Sequence, residues 1–334
     1  MPTIKKAVIT AAGRGTRQFP ATNTIQKELF PLVDVDGYTK PALQIIVEEA
    51  LHGGVEEICI VANPQNADPI RRHFRGVEAN ETAFRGKDWA LRQSDKLDEI
   101  GDRITIVIQE TQEGYGHAVS MASTWVGDEP FVLMLGDHIY LSNRSQSCTA
   151  QVVAAYDRFR YPVSSVARTP ESIVDRFGTI AGKRMHGDSR ESSTSRPSYL
   201  ITRLAEKPSA DYARFHLRVP GVGPAEYLCF FGIHVFDRSL FEILDHLIAH
   251  DLRERGEIQL ASAQAILQRT STYIATEIDG ERYDIGVPEG LLETQMALGL
   301  RSPFGVDIRR AFERQSDTTG SVTSSPSLRI GCYP

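Results

Sequence analysis

Apolar positions in the first half of the chain fall in short dense runs, separated by polar stretches punctuated with glycine. KAVIT (6–10), EEICIVAN (56–63), RITIVIQE (103–110) and FVLMLGD (131–137) are mostly continuous apolar runs, the pattern of strands buried on both faces. Between the first two, PALQIIVEEALHGG (41–54) carries helical periodicity and ends on Gly53-Gly54, a stop that predicts a helix C-terminus. GHAVSMASTW (116–125) predicts a second helix. Strands and helices in alternation predict an α/β fold with a mainly parallel sheet. The active site of such a fold lies where strands end, in the loops leading into helices.

Beyond residue 150 the pattern is less regular. A helix is predicted over 148–160, then strands in YPVSSVAR (161–168), YLITRLAEKP (199–208) and EYLCFFGIHVF (226–236), and helices in LFEILDHLIAH (240–250) and EIQLASAQAILQR (257–269). The polar stretch 182–198 reads as an exposed loop or hairpin tip. QSDTTGSVTSSPS (315–327) is low in complexity and has little means of packing. With no fixed-period repeat and no interdomain linker, the expectation is one large α/β domain over 1–300 and a C-terminal extension over 301–334.

Composition narrows the class. Apolar residues make up 41% of the 334 and charged residues 24%, ordinary globular usage that excludes a disordered or collagen-like chain. Acids outnumber bases by 43 to 37, a net charge of −6, which speaks against broad binding to nucleic acid polymers or anionic membranes but leaves room for a local basic pocket. No apolar stretch approaches the ~20 residues of a membrane span. The opening Lys5-Lys6-AVITAAG run is too short for a signal peptide and is followed at once by Arg14 and Arg17. Cys59, Cys148, Cys229 and Cys332 form no CxxC pair, so free buried thiols are expected rather than zinc or disulfides. A cytoplasmic protein is the expectation.

KAVIT runs into AAGRGTR (11–17). A glycine-rich turn after a strand lets backbone N–H groups approach a phosphate. It is not a Walker loop, and the third glycine of a dinucleotide fingerprint would fall at Gln18. Arg17 and Lys27 then supply two cations within reach of the turn, the first able to fork onto a phosphate and the second a compact charge. On spacing alone they are equally two surface cations beside an ordinary turn.

AAGRGTRQFPAT followed by KELFPLVD resembles the signature of bacterial UTP–glucose-1-phosphate uridylyltransferases and, more widely, of the sugar-phosphate nucleotidylyltransferases. The resemblance continues in order through PALQIIVEEALHGGVEEICIVANP, GYGHAV (114–119), LGD (135–137), EKP (206–208), GEIQL (256–260) and YDIG (283–286), spanning roughly residues 5 to 300. It implies a Rossmann-like three-layer sandwich with a mixed, mainly parallel central sheet, of the nucleotide-diphospho-sugar transferase type. It also implies a Mg²⁺-dependent reaction that joins a nucleoside triphosphate to a sugar 1-phosphate and releases pyrophosphate, in a protein that forms a homo-oligomer. No protein nucleophile is required, and catalysis is mainly alignment and charge neutralisation.

By the same resemblance, Asp137 and Asp284 are the metal ligands. Ala11, Ala12, Gly13, Gly15 and Thr16 form the nucleotide loop, and Arg17 and Lys27 balance the triphosphate. Gln109 and Gly114 read the base, Gly178 and Glu206 meet the sugar, and Lys207 takes its 1-phosphate. Taken singly, Asp137 is equally a turn or capping acid, Gln109 a strand-end amide, Glu206-Lys207 an exposed ion pair and Gly178 the start of a strand. His117 is expected to pack under the base loop.

Three positions depart from the family pattern: Gln26 stands where a proline is usual, VDGYT (35–39) lengthens a turn, and His138 replaces a second acid, as in the thymidylyltransferase branch. A glucose-1-phosphate thymidylyltransferase and a non-catalytic nucleotide-sugar-binding regulatory subunit are therefore the competing readings. Glu242, His246 and His250 lie at helical spacing without an HExxH core and read as a solvated stripe. Asp34-Val-Asp36-Gly37 begins like a calcium loop, but its Asp-Gly pair suits a hairpin turn.

Overall fold

In a computed structural model, which describes residues 4–77, 84, 86–185 and 196–319, the run KAVIT forms β1 (Lys6–Ala11). The insertion over 35–39 makes the turn of a hairpin, β2 (Pro31–Val33) and β3 (Thr39–Pro41), with Gly37 at φ 86°. α1 (Ala42–His52), β4 (Glu57–Ala62), α2 (Ala67–His73), α3 (Asp88–Gly101) and β5 (Ile104–Ile108) follow. The predicted helix over 116–125 is broken in two, α4 (Tyr115–Ser120) and α5 (Ser123–Val126), before β6 (Phe131–Leu135). The break has a local cause. Ser120 Oγ donates to the His117 carbonyl at 2.8 Å, and Ala122 N tightens to an i−3 bond on Val119.

The second half comprises β7 (His138–Ser142), α6 (Cys148–Phe159), β8 (Val163–Pro170), β9 (Thr179–Arg184), β10 (Ser198–Ala205), α7 (Ala210–His216), β11 (Glu226–Phe236) and α8 (Arg238–Ala249), then α9 (Leu260–Thr270), β12 (Ile274–Glu277), β13 (Gly280–Asp284), α10 (Pro288–Arg301) and α11 (Gly305–Thr319). α9 starts at Leu260 rather than 257 because Ile258 is held elsewhere. Its N–H bonds the Glu113 carbonyl and its own carbonyl accepts from Gly116, both at 2.8 Å. β9 and β10 run into the expected hairpin, whose tip lies outside the described residues. α11 carries the helix to Thr319, five residues into the low-complexity run; the rest of that run is outside the described residues.

Among the described residues, nine strands form one sheet in the order β5-β4-β1-β6-β11-β8-β12-β10-β9. It is mixed. The four strands of the N-terminal half pair in parallel, as their helical crossovers require. In the other half only β8 and β12 are parallel, and the remaining partners are antiparallel. β5 is less buried than its apolar run suggests, because among the described residues it is the outermost strand and has a neighbour on one flank only.

Alternation along the strands builds two core layers. Ile9, Ile58, Ile60 and Met134 point to the side of α1 and α6, and Val8, Val61, Leu133 and Phe236 to the side of α4, α8 and α9. Each such fully buried aliphatic side chain contributes about 1.5–3 kcal/mol. Cys59, Cys148 and Cys229 are buried free thiols, and burial pushes Cys59 up to about 12. Cys332 lies outside the described residues.

Candidate functional site

The C-terminal ends of the parallel strands converge on one edge of the sheet. Ala12 follows β1, Asn63 follows β4, Gln109 follows β5 and Asp137 follows β6. β1 is the point where strand order reverses, with β4 on one side and β6 on the other, the position at which open α/β sheets bind ligands. The loop after β1 is fixed from below: Asn66 Nδ2 donates to the Ala11 carbonyl at 2.5 Å, and Asn63 Nδ2 to that of Ala12 at 3.3 Å. Gly15 has φ 63° and Thr22 Oγ1 donates to its carbonyl at 3.0 Å. Gly13, Gly15 and Thr16 stay toward solvent while the stem of Lys27 passes beneath Gly15.

Lys27 ends among acids. Its Nζ lies 3.2 Å from Asp137 Oδ2 and also bonds Glu28 Oε1, the first a partner the sequence reading did not foresee. Burial opposes the charge on Lys27, but Asp137 and Glu28 more than offset it and hold the amine above the usual lysine range. Burial likewise opposes ionisation of Asp137, yet Lys27 and His138 outweigh it and keep the carboxyl well below the usual range. Glu28 is fully buried, and burial pushes it up to about 6 although Lys27 pulls the other way. Its second oxygen has no hydrogen-bond partner among the described residues, nor has the buried hydroxyl of Tyr115.

β13 pairs antiparallel with β7 and sets Asp284 opposite His138. His138 Nδ1 is 3.0 Å from Asp137 Oδ1, and Arg17 reaches Asp284 at 3.8 Å. Donor atoms of Asp137, His138 and Asp284 all lie within 4.8 Å of one another. Two partly exposed carboxylates fit a small hard cation such as Mg²⁺, which takes a few oxygens and completes its shell with water and phosphate. A Cβ at Gly286 would lie 2.8 Å from Asp284 Oδ1 and 3.0 Å from Asp137 Oδ2, which accounts for the glycine of YDIG. The other acidic group, Asp34, Asp36 and Glu48, is already filled by Lys40, at 2.7, 2.6 and 3.0 Å respectively. Glu242 and His246 on α8 and His250 just beyond its end are exposed, the solvated stripe expected.

Across the cleft, Lys207 adopts φ 46° with its Nζ 4.0 Å from Glu206 Oε1, and its N–H bonds the Phe177 carbonyl. Burial raises Glu206 above the ordinary glutamate value, partly offset by Lys207. A Cβ on Gly178 would sit 2.8 Å from Glu206 Oε2, so the glycine and the glutamate are neighbours. Arg17, His138, Lys207 and Asp284 line one cleft of about 950 Å³.

Gln109 and Gly114 are arranged differently from the base-reading expectation. Gln109 is buried, and its amide bonds His117 Nδ1 at 2.9 Å and the Gly114 carbonyl at 3.4 Å. His117 packs under the loop as expected. Gly114 has φ 118°, and a Cβ there would lie 2.6 Å from the Ile258 carbonyl oxygen. The close approach this glycine permits is therefore to the GEIQL segment. Gly114→Ala is expected to cost about 1–3 kcal/mol through strain and displacement of Ile258, read as a lowered denaturation midpoint with faster hydrogen exchange at the Gly116 amide; an unchanged midpoint would refute it.

Glu28 and Gln18 carry no motif that marks a site role, and His138 stands out in the sequence only as a departure from the family pattern. Gln18 Nε2 donates to the Ile285 carbonyl at 2.8 Å and ties the first loop to the strand end bearing Asp284. Its one visible signal was polarity at the position where a fingerprint glycine is missing.

A family model described as nucleotidyl transferase matches residues 6–299. A Streptococcus pyogenes serotype M3 protein named UTP–glucose-1-phosphate uridylyltransferase 1 is 33% identical over 310 residues, covering 91% of each chain. The solved structure of a UTP-bound UGPase from Acinetobacter baumannii superposes with a TM-score of 0.72 at 27% identity, over 93% of this chain and 99% of that one. A UDP-glucose pyrophosphorylase complexed with UDP-glucose gives a TM-score of 0.69 at 28% identity, over 88% and 98%.

Proposed function

The chain belongs to the nucleotidyl transferase family, and from that premise we propose that it transfers UMP from UTP to glucose 1-phosphate, giving UDP-glucose and pyrophosphate. An oxygen of the sugar phosphate forms the new bond to the α-phosphorus in line with the departing pyrophosphate, whose bridging P–O bond breaks. The observation that carries the reading is the meeting of Arg17, Lys207 and Asp284 in one cleft, beside Asp137 and Lys27.

Lys207 orients the attacking phosphate, and Glu206 accepts hydrogen bonds from sugar hydroxyls beside the bare backbone of Gly178. Arg17 and Lys27 flank the triphosphate, and the loop from Ala11 to Thr16 brings backbone N–H groups to it. Gln109 and Gly114 shape the base pocket by holding the loop at α4. Asp137 and Asp284 would hold Mg²⁺, whose chemistry there is neutralisation of phosphate charge. Each of these contributes positioning or electrostatics.

Pyrophosphate release from UTP, dTTP, CTP and ATP with several sugar 1-phosphates tests the reading. UTP with glucose 1-phosphate is expected to be best by at least ~10-fold. A dTTP optimum would favour the thymidylyltransferase reading, which His138 supports. Nucleotide-sugar binding without release from any pair would favour the regulatory subunit. Retention of Arg17, Lys27, Asp137, Lys207 and Asp284 in contact with one another or one cleft speaks for turnover. We further read residues 1–300 as the catalytic domain, the protein as cytoplasmic, and the chain as self-associating. No described helix is long and apolar enough to cross a membrane. The exposed apolar side chains of Leu292, Met296, Phe304 and Val306 support self-association.

A further inference from the structure

Most charged side chains lining the cleft have partners. Arg17 faces Asp284, Arg168 reaches Glu277 at 3.1 Å, and Arg176 reaches Glu289 at 3.9 Å. Arg282 is different. Its guanidinium lies 3.9 Å over the ring of Phe177 and makes no hydrogen bond or ion pair among the described residues. On β13 it stands two residues before Asp284, opposite Tyr140 of β7. Residues two apart on a strand share a face about 7 Å apart, so Arg282 and Asp284 occupy the same wall of the cleft. Its aromatic platform belongs to the acceptor side. The Phe177 carbonyl accepts the Lys207 N–H, and the next residue, Gly178, abuts Glu206.

A guanidinium has five donors in a planar fork that matches a phosphate. Stacking on a ring fixes that plane and leaves the donor edge open. Burial opposes the charge on Arg282, and Asp284 farther along the same wall offsets it only in part, a cost that an arriving anion relieves. Lys207 alone is a point charge on a flexible stem, half exposed, and cannot set the orientation of a phosphate.

We propose that Arg282 is a second anion anchor for the acceptor, binding the phosphate of the sugar 1-phosphate together with Lys207 and fixing which oxygen faces the nucleotide. This rests on the nucleotidyl-transfer reading above. Arg282→Met keeps the apolar stem against Phe177 and removes the charge, whereas Arg282→Lys keeps the charge and loses the fork. With UTP and glucose 1-phosphate as substrates, Arg282→Met is expected to raise KM for glucose 1-phosphate at least ~10-fold, with KM for UTP within about twofold. Arg282→Lys is expected to recover part of that loss, leaving KM for glucose 1-phosphate about threefold or more above wild type.

A wild-type KM in Arg282→Met would make the residue a packing element and overturn the proposal. A rise in KM for UTP alone, or equal rises for both substrates, would also overturn it, by placing the cation on the nucleotide or in the framework. Should Arg282→Met lose its cooperative thermal transition, Arg282→Lys decides: a selective rise of about threefold or more for glucose 1-phosphate upholds the proposal, and parallel or absent changes reject it. Calorimetric titration of glucose 1-phosphate alone into wild type and Arg282→Lys separates the two levels of inference. Wild-type protein that releases no pyrophosphate but binds glucose 1-phosphate through Arg282 would reject the reaction and keep the anchor.

Discussion

Asp137→Asn is expected to lower turnover by at least ~10²-fold while the protein stays folded. The substitution preserves volume and leaves an oxygen to face His138, 3.0 Å away, so it removes little besides charge. That charge matters twice. With Asp284 it makes the pair that fits Mg²⁺, and it faces Lys27 at 3.2 Å. The fold survives because the Lys27 ammonium keeps Glu28 as a partner. Pyrophosphate release followed against Mg²⁺ concentration should show a fallen maximum and a demand for more metal, beside a thermal transition within a few degrees of wild type. Near-wild-type turnover would remove Asp137 from the mechanism.

Lys27→Met should be the more damaging change to the fold. Glu28 is fully buried and the Asp137 side chain is 15% exposed; without the ammonium both lose that counter-ion. Breaking a buried pair from one side costs about 3–5 kcal/mol, and loss of a phosphate cation should lower turnover by ~10²-fold as well. The cost has a predictable pH dependence. Burial already pushes Glu28 up to about 6 in the folded protein, above the ordinary 4.5, so the stability from its bound proton is full below 4.5 and is lost as pH rises through 6. Removing Lys27 raises that carboxyl further. Asp137, held low by Lys27, contributes stability above its unfolded value that the variant forfeits. Both effects have the same sign, so the stability gap between wild type and Lys27→Met should widen from pH 5 to pH 8. Denaturant unfolding across that range checks it, and a gap that narrows with pH would contradict the pairing.

Much of the fold is legible in the order of residues because it depends on local periodicity. β1, β4, β6 and β11 are placed to within a residue or two by apolar runs, and α1 by its period and its Gly53-Gly54 stop. What escaped was decided by distant partners. The break between α4 and α5, the late start of α9 and the partial exposure of β5 follow from a side-chain hydroxyl, a backbone pairing with Glu113 and a place at the sheet edge. The site divides the same way. Arg17, Lys207, Asp137 and Asp284 were recognisable from ordered motifs and His138 from its departure from them, whereas Glu28 and Arg282 became functional candidates only through what surrounds them.

By itself the sequence determined the chemistry available, namely a glycine turn after a strand, two cations near it, two aspartates at strand ends and the motif order that identifies the family. It did so because turn conformation, strand period and side-chain charge are properties of neighbouring residues. Tertiary structure decided which charges are spoken for. Lys27 is held by Glu28 and Asp137, the acids around Lys40 are filled, Gln109 is turned to its own loop, and Arg282 is left stacked on Phe177 with no ion pair among the described residues. Charge compensation depends on separations of a few ångströms between residues up to hundreds of positions apart, and only the packed chain sets those.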